Sequence, residues 1–227
     1  MTSEQTPSRL LRPTGIGFAL GSFCFAIGVP LSLSASLSAA VAGWTYFVGS
    51  VLFTSAAAMQ FLMSVAELPD LELPRHQRWA RLVRPRTTDW TAAAVQLVGT
   101  VEFNVTTLRA ALDAAGTGSA SAQAVWRPDA LGSVLFLVSS AIALAPEVRR
   151  RRHGHARDRS WAIAALNMLG SIFFGLSAIG AYLEPSTGEI VSLRWSNGGT
   201  LLGALCFLAG ALLLLPRRQS LVAAPSA

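Results

Sequence analysis

Residues 161–183 read WAIAALNMLGSIFFGLSAIGAYL, twenty-three positions without a charged side chain. A helix needs about 20 such residues to cross roughly 30 Å of hydrocarbon, so this stretch predicts a membrane span. Near its centre stands Gly170-Ser171-x-x-Phe174, and the same phrase, Gly-(Ser, Thr or Ala)-x-x-Phe, recurs in five other apolar stretches. The copies begin at Gly21, Gly49, Gly99, Gly132 and Gly203, and their aromatic positions are Phe25, Phe53, Phe103, Phe136 and Phe207. The six segments, about 15–33, 41–66, 90–112, 130–147, 161–183 and 199–216, predict an all-α membrane protein of six transmembrane helices. A closed barrel of strands would show shorter segments of alternating hydropathy instead.

Composition agrees. Of 227 residues 52% are hydrophobic and 13% charged, a balance far from that of a soluble domain. The apolar runs leave little chain for anything outside the bilayer, so the whole length, 1–227, reads as a single membrane domain. Its hairpins fall at about 13–66, 89–147 and 161–216, joined by loops 67–88 and 148–160 and bounded by short tails. The net charge of +6 comes from Arg alone, because the chain has no Lys. Fifteen of the 18 Arg fall before the first segment, in the two long loops or after the last segment, and only Arg109, Arg127 and Arg194 fall on the other side. That asymmetry is a membrane topology signal and not a nucleic-acid footprint, and it predicts cytoplasmic tails and long loops. Residues 9–36 have the basic start and small residues of a cleavable leader as well, but they carry the shared phrase and read as a retained first helix. Cys24 and Cys206, each three residues after a phrase glycine, read as small core residues and not as a disulfide.

Spacing points to duplication. Trp90, Gln96, Gly99, Thr100 and Phe103 align with Trp161, Asn167, Gly170, Ser171 and Phe174 at a shift of 71, and Gly132 aligns with Gly203 at the same shift. Gly17 to Gly28 also matches Gly199 to Gly210. Three related hairpins follow, as parallel repeats about an axis along the membrane normal, since each enters and leaves on the same side. Gly beside a small hydroxyl residue lets helices approach closely and bond across the contact. Gly17-x-x-x-Gly21 and Gly199-x-x-x-Gly203 suit packing within the chain, or a face for a second copy in a homo-oligomer.

Asn167, Gly170-Ser171 and Phe174, followed by Trp195, Gly198-Gly199-Thr200, Gly203 and Phe207, resemble the hairpin of the YrhK-like family of small bacterial membrane proteins. Trp126 with Gly132-Ser133 and Phe136, and Trp44 with Gly49-Ser50 and Phe53, look like the same second-helix pattern, while Ala204 departs from it. The resemblance implies a two-helix membrane unit of unknown activity in a bacterial cytoplasmic membrane.

Polar groups inside a bilayer are costly, which makes them the functional candidates. Glu102 stands about twelve residues into the third segment, and Thr106, Arg109 and Asp113 continue its face at helical spacing. Two readings stand at Glu102: a buried carboxylate that exchanges protons or a cation in a small transporter or channel, and a structural group that bonds Gln60, Gln96 or Asn167. Gln60, Gln96, Asn104 and Asn167 read as amide links between helices, or together with Glu102 as a narrow polar path. The run Arg149, Arg150, Arg151 and Arg152 suits contact with anionic lipid. No metal site is expected at His153 and His155, which lie among Arg residues. Phosphate loops, His-Glu-x-x-His and nucleophile elbows are missing from the sequence. A non-enzymatic membrane protein without a cofactor is the expectation, with the lipid bilayer as its first partner.

Overall fold

A computed structural model describes residues 9–35, 38–66, 87–154, 158–184 and 186–215. Six helices account for most of them: α1 (Leu11–Leu33), α2 (Ala39–Ala66), α3 (Thr88–Ala114), α4 (Ala122–Arg152), α5 (Arg159–Gly180) and α6 (Leu193–Leu214). Five are long and apolar enough to cross a membrane, namely α1, α2, α4, α5 and α6. The chain is therefore a multi-pass membrane protein by the length and composition of its helices. The third segment, expected as a span, forms an equally long helix but falls outside that group. Gln96, Glu102, Asn104 and its threonines dilute the apolar character that its valines supply. The long loop expected between the second and third segments lies, from residue 67 to 86, outside the described residues.

The last four helix starts are set by side-chain caps, whereas α1 follows Leu10 without one. Thr87, Ser121, Asp158 and Ser192 accept hydrogen bonds from the backbone N–H groups of Trp90, Ala124, Trp161 and Trp195, each three residues on. Such caps satisfy donors that the first turn leaves free. They also correct the sequence boundaries. The fourth helix begins at Ala122 and not near 130, because Ser121 supplies the cap and Pro128 is carried inside the helix. It runs past Pro146 to Arg152, placing four Arg in its last turn, where cations complement the helix dipole. The turn between α3 and α4 needs Gly116, whose φ of +73° is open to glycine at little cost.

Each helix packs on its neighbours in sequence, and α1 packs on α6, so the six close into a ring. Within each hairpin, the phrase glycines set the closest approach. A Cβ on Gly21 would lie 2.9 Å from the Gly49 carbonyl oxygen, one on Gly132 would lie 3.1 Å from that of Gly99, and one on Gly203 would lie 3.0 Å from that of Gly170. A side chain at any of these positions would push two helices apart.

The phenylalanines four residues on fill the axis. Phe53, Phe136 and Phe207, from α2, α4 and α6, form a closed triangle with ring centroids 5.6–5.8 Å apart. Phe174 of α5 joins Phe25 of α1 at 5.8 Å and Phe103 of α3 at 5.6 Å, giving a second tier. Phe103 with Phe136, at 5.1 Å, and Phe174 with Phe207, at 5.7 Å, connect the tiers. Edge-on and tilted contacts, with Phe53 and Phe136 stacked, are favourable at these separations beyond the area the rings bury. All six are buried, and they bridge helices that do not neighbour one another in the ring.

Candidate functional site

The two aromatic tiers divide the interior. Between them lies a void of about 20 Å³, lined by the six phenylalanines together with Ser22, Ser50, Thr100 and Ala204, the residues that follow four of the phrase glycines. That is about the room one water needs, but a water also needs several polar partners. On the Arg-rich side, where α1, α3 and α5 begin, is a cavity of about 110 Å³ floored by Phe53 and Phe207. On the turn side is a larger one of about 520 Å³, floored by Phe25, Phe103 and Phe174.

Gln60 of α2, Gln96 of α3 and Asn167 of α5 all line the smaller cavity, so the structure brings together three of the six intramembrane candidates. Gln96 accepts a hydrogen bond from Ser139 of α4 at 3.5 Å, and the Asn167 side-chain oxygen points at the backbone of Gly210 on α6. Gln96 and Asn167 therefore serve helix contacts and face a shared space at once, and Gln60 faces that space.

Glu102, Asn104 and Arg109 line neither cavity. Phe103 points to the axis, and one residue is about 100° of helical turn, which carries the half-buried Glu102 off toward one flank of α3. Farther along that flank, Thr106 donates to the carbonyl of Val125 and Arg109 to that of Ala124, at 2.6 Å for the latter, both on α4. The reason lies four residues beyond Ala124. Pro128 has no N–H with which to bond that carbonyl, and the Arg109 guanidinium takes its place. Arg109 thus holds the start of α4, and pairing it with Glu102 is not required to explain it. Asn104 lies on the opposite flank, with its Oδ1 buried and without a partner.

Three of the five hydroxyls that follow the phrase glycines are spent between helices, while Thr100 bonds the Leu97 carbonyl of its own helix and the Ser22 hydroxyl has no partner. Ser50 bonds Thr107 at 2.9 Å, Ser133 donates to the Phe174 carbonyl at 3.3 Å, and Ser171 bonds Ser140 at 2.8 Å and the Phe136 carbonyl at 3.2 Å. At the Arg-rich end, Arg150 pairs with Glu147 at 3.2 Å and with Asp158 at 2.9 Å, and Arg151 lies 5.7 Å from the centre of the Trp161 ring. Accepting the Trp161 N–H, with Arg150 alongside, holds the exposed Asp158 carboxyl below its usual range. The Arg159 side chain donates to the carbonyls of Leu213 and Leu215, fastening the start of α5 to the end of α6. Cys24 and Cys206 are free and half-buried. Among the described residues, no group of three His, Cys, Asp or Glu is placed to hold a metal ion.

Sequence reasoning missed Asp129. Left just outside the fourth segment by a start near 130, it lies within α4 and lines the large cavity with Asp113, Trp126 and Tyr46. The available signal was its place seven residues, two turns, before Phe136, which puts both on one face. No family model matches the chain, and no curated protein or solved structure does either.

Proposed function

We propose that this is a six-span protein of the bacterial cytoplasmic membrane, three parallel copies of a YrhK-like hairpin with both termini in the cytoplasm, and that its role is non-enzymatic. In this reading α3 is the sixth span, tolerated despite Glu102 because α2 and α4 cover its flanks. Its Arg149, Arg150, Arg151 and Arg152 run sits at the cytoplasmic leaflet, where anionic lipid headgroups supply the opposite charge. The paired phrase glycines, which recur alike in the three hairpins, support the repeat.

The observation that carries the reading is the double phenylalanine tier. It fills the place where a conducting path or a reaction chamber would run, and most polar side chains nearby spend their bonds on holding helices together. The protein then acts as a sealed ring in the bilayer, through its packing and its two end cavities. A second reading is favoured by those cavities, which face each other across the tier. Hydrophobic constrictions of this kind gate by excluding water, and a small transporter or channel caught closed would look the same. In that reading the polar groups beside the tier are Gln60, Gln96 and Asn167 on one side and Asp113 and Asp129 on the other, while Glu102 lines neither space.

Proteoliposomes loaded with a pH-sensitive dye test both. The sealed ring predicts proton and potassium leakage no faster than from protein-free vesicles, and sustained flux through the unmodified protein would overturn it. Phe136→Ala removes a ring that touches Phe53, Phe103 and Phe207. If the tier is a gate, this variant leaks at least tenfold faster than the native chain. If the tier is only packing, the variant is less stable and still tight.

A further inference from the structure

We infer that the large cavity at the turn end is a binding site for a small organic cation, an alkyl- or arylammonium ion, with Asp129 as its counter-ion. Its volume of about 520 Å³ falls within the range of small-molecule pockets, and its walls have their usual make-up of apolar and aromatic surface with a few polar groups. Phe25, Phe103 and Phe174 form the floor, and Tyr46 and Trp126 stand in the wall. Trp126 is fixed in place by its indole N–H, which donates to the Ala178 carbonyl at 2.8 Å, and by an edge contact with Tyr182. Rigid aromatic faces attract cations through the negative potential above the ring.

Charge decides the sign of the ligand. Among the described residues, the carboxylates lining the cavity are Asp113, exposed at the rim, and Asp129, deeper in the wall, and no Arg shares the lining with them. Arg109, the cation nearest in sequence on α3, is turned to the Ala124 carbonyl, and Arg127 is exposed. Among the described residues no side chain pairs with the Asp129 carboxylate, whereas the neighbouring hydroxyls of Thr106, Thr107, Ser177 and Thr200 bond backbone or one another. A carboxyl group set in a membrane protein without a partner is costly to ionise until a cation joins it, and such groups mark substrate or ion sites by default. A cation on an apolar or aromatic body satisfies both parts of the chamber, whereas an anion would find no positive partner among the described lining residues. The site needs only the turn-end opening, so it stands whether or not the aromatic tier ever parts.

Full-length protein in detergent, titrated with benzylammonium and separately with benzyl alcohol, tests the inference by calorimetry and by Trp fluorescence. The expected result is saturable binding of benzylammonium at least tenfold tighter than benzyl alcohol, weakened by added salt. Asp129→Asn should weaken the cation tenfold or more and leave the alcohol unchanged, and Asp113→Asn, at the rim, should weaken it no more than threefold. Equal binding of the two probes, or no saturable binding of the cation, overturns the proposal in the native chain even if the Asp129 variant fails to fold. A folded Asp129→Asn protein that binds benzylammonium as tightly as the native chain overturns it too. None of these outcomes bears on whether the vesicles leak, so failure here leaves the sealed ring untouched.

Discussion

The seam between α4 and α5 and the seam between α6 and α1 join a second helix of one hairpin to a first helix of another, yet they are built differently. Across the first run the bonds of Ser133 to the Phe174 carbonyl, Ser171 to Ser140 and to the Phe136 carbonyl, and Trp126 to the Ala178 carbonyl. Among the described residues no side-chain hydrogen bond crosses the second. Ala204 and Ala211 stand 71 residues after Ser133 and Ser140, and so fill their places without a hydroxyl. On the α1 side, Ser22, which corresponds to Ser171, is buried with its Oγ unpartnered, and so is that of Thr14. The contact between α6 and α1 is apolar instead, with Leu215 against Gly15. In lipid there is little hydrophobic drive between helices, so packing and hydrogen bonds decide which contacts hold. The ring is therefore bonded along α4 and α5 and merely packed where its ends meet. If any part of it opens toward the bilayer, the α6–α1 seam does so at the lowest cost.

The most damaging way to probe that difference is Ser171→Ala. It removes the bonds to Ser140 and to the Phe136 carbonyl and leaves a buried Ser140 hydroxyl alone. Interhelical bonds in membranes average about 0.6 kcal/mol and reach about 1.7, and stranding the partner adds to the loss. Unfolding in mixed SDS micelles should show a destabilisation of about 1–2 kcal/mol. A loss below about 0.3 kcal/mol would mean that the seam holds by packing alone and that the two seams are equivalent.

How far the sequence disclosed this arrangement varies by residue. Five of the spans and the role of the glycines were legible because a bilayer imposes length and close packing imposes small residues, whereas the third segment, expected as a span, falls outside the apolar group. The aromatic tiers were half legible. The spacing placed each Phe beside its Gly, but the filling of one axis by all six depends on ring closure, which no single helix encodes. Ser121 as a cap and Pro128 inside α4 were not read, since a proline near an apolar stretch looks like its boundary until a cap is found upstream. That one misplacement hid both Asp129 and the reason for Arg109. Glu102 drew attention by chemistry alone, whereas the cavities gather residues by direction, and its flank of α3 turns away from them.

A gain on the weak seam is a subtler test than a loss on the strong one. Ala211→Ser restores the counterpart of Ser140 and should give Ser22 the partner it lacks. The expected gain is about 0.6 kcal/mol, the average worth of such a bond, and it should vanish when Ser22 is also Ala. Measured as a double-mutant cycle, the coupling isolates the new bond from any effect of the larger side chain. A gain that persists without Ser22 would place the benefit elsewhere and break the correspondence between the seams.

The smallest effect is expected at Ser22→Ala alone. The same substitution at the corresponding Ser171 removes bonds, but here the Oγ has none to lose, and an unpartnered hydroxyl costs free energy to bury. Some of that cost is recovered in the native chain whenever the hydroxyl turns to a carbonyl of its own helix, as Ser171 does to that of Asn167 at 2.9 Å. The net change should therefore lie between zero and about 0.5 kcal/mol in favour of the variant. Destabilisation by more than about 0.5 kcal/mol would show that Ser22 is bonded in the membrane, to α6 or to a trapped water, and that the ring closes with the same kind of link on every side.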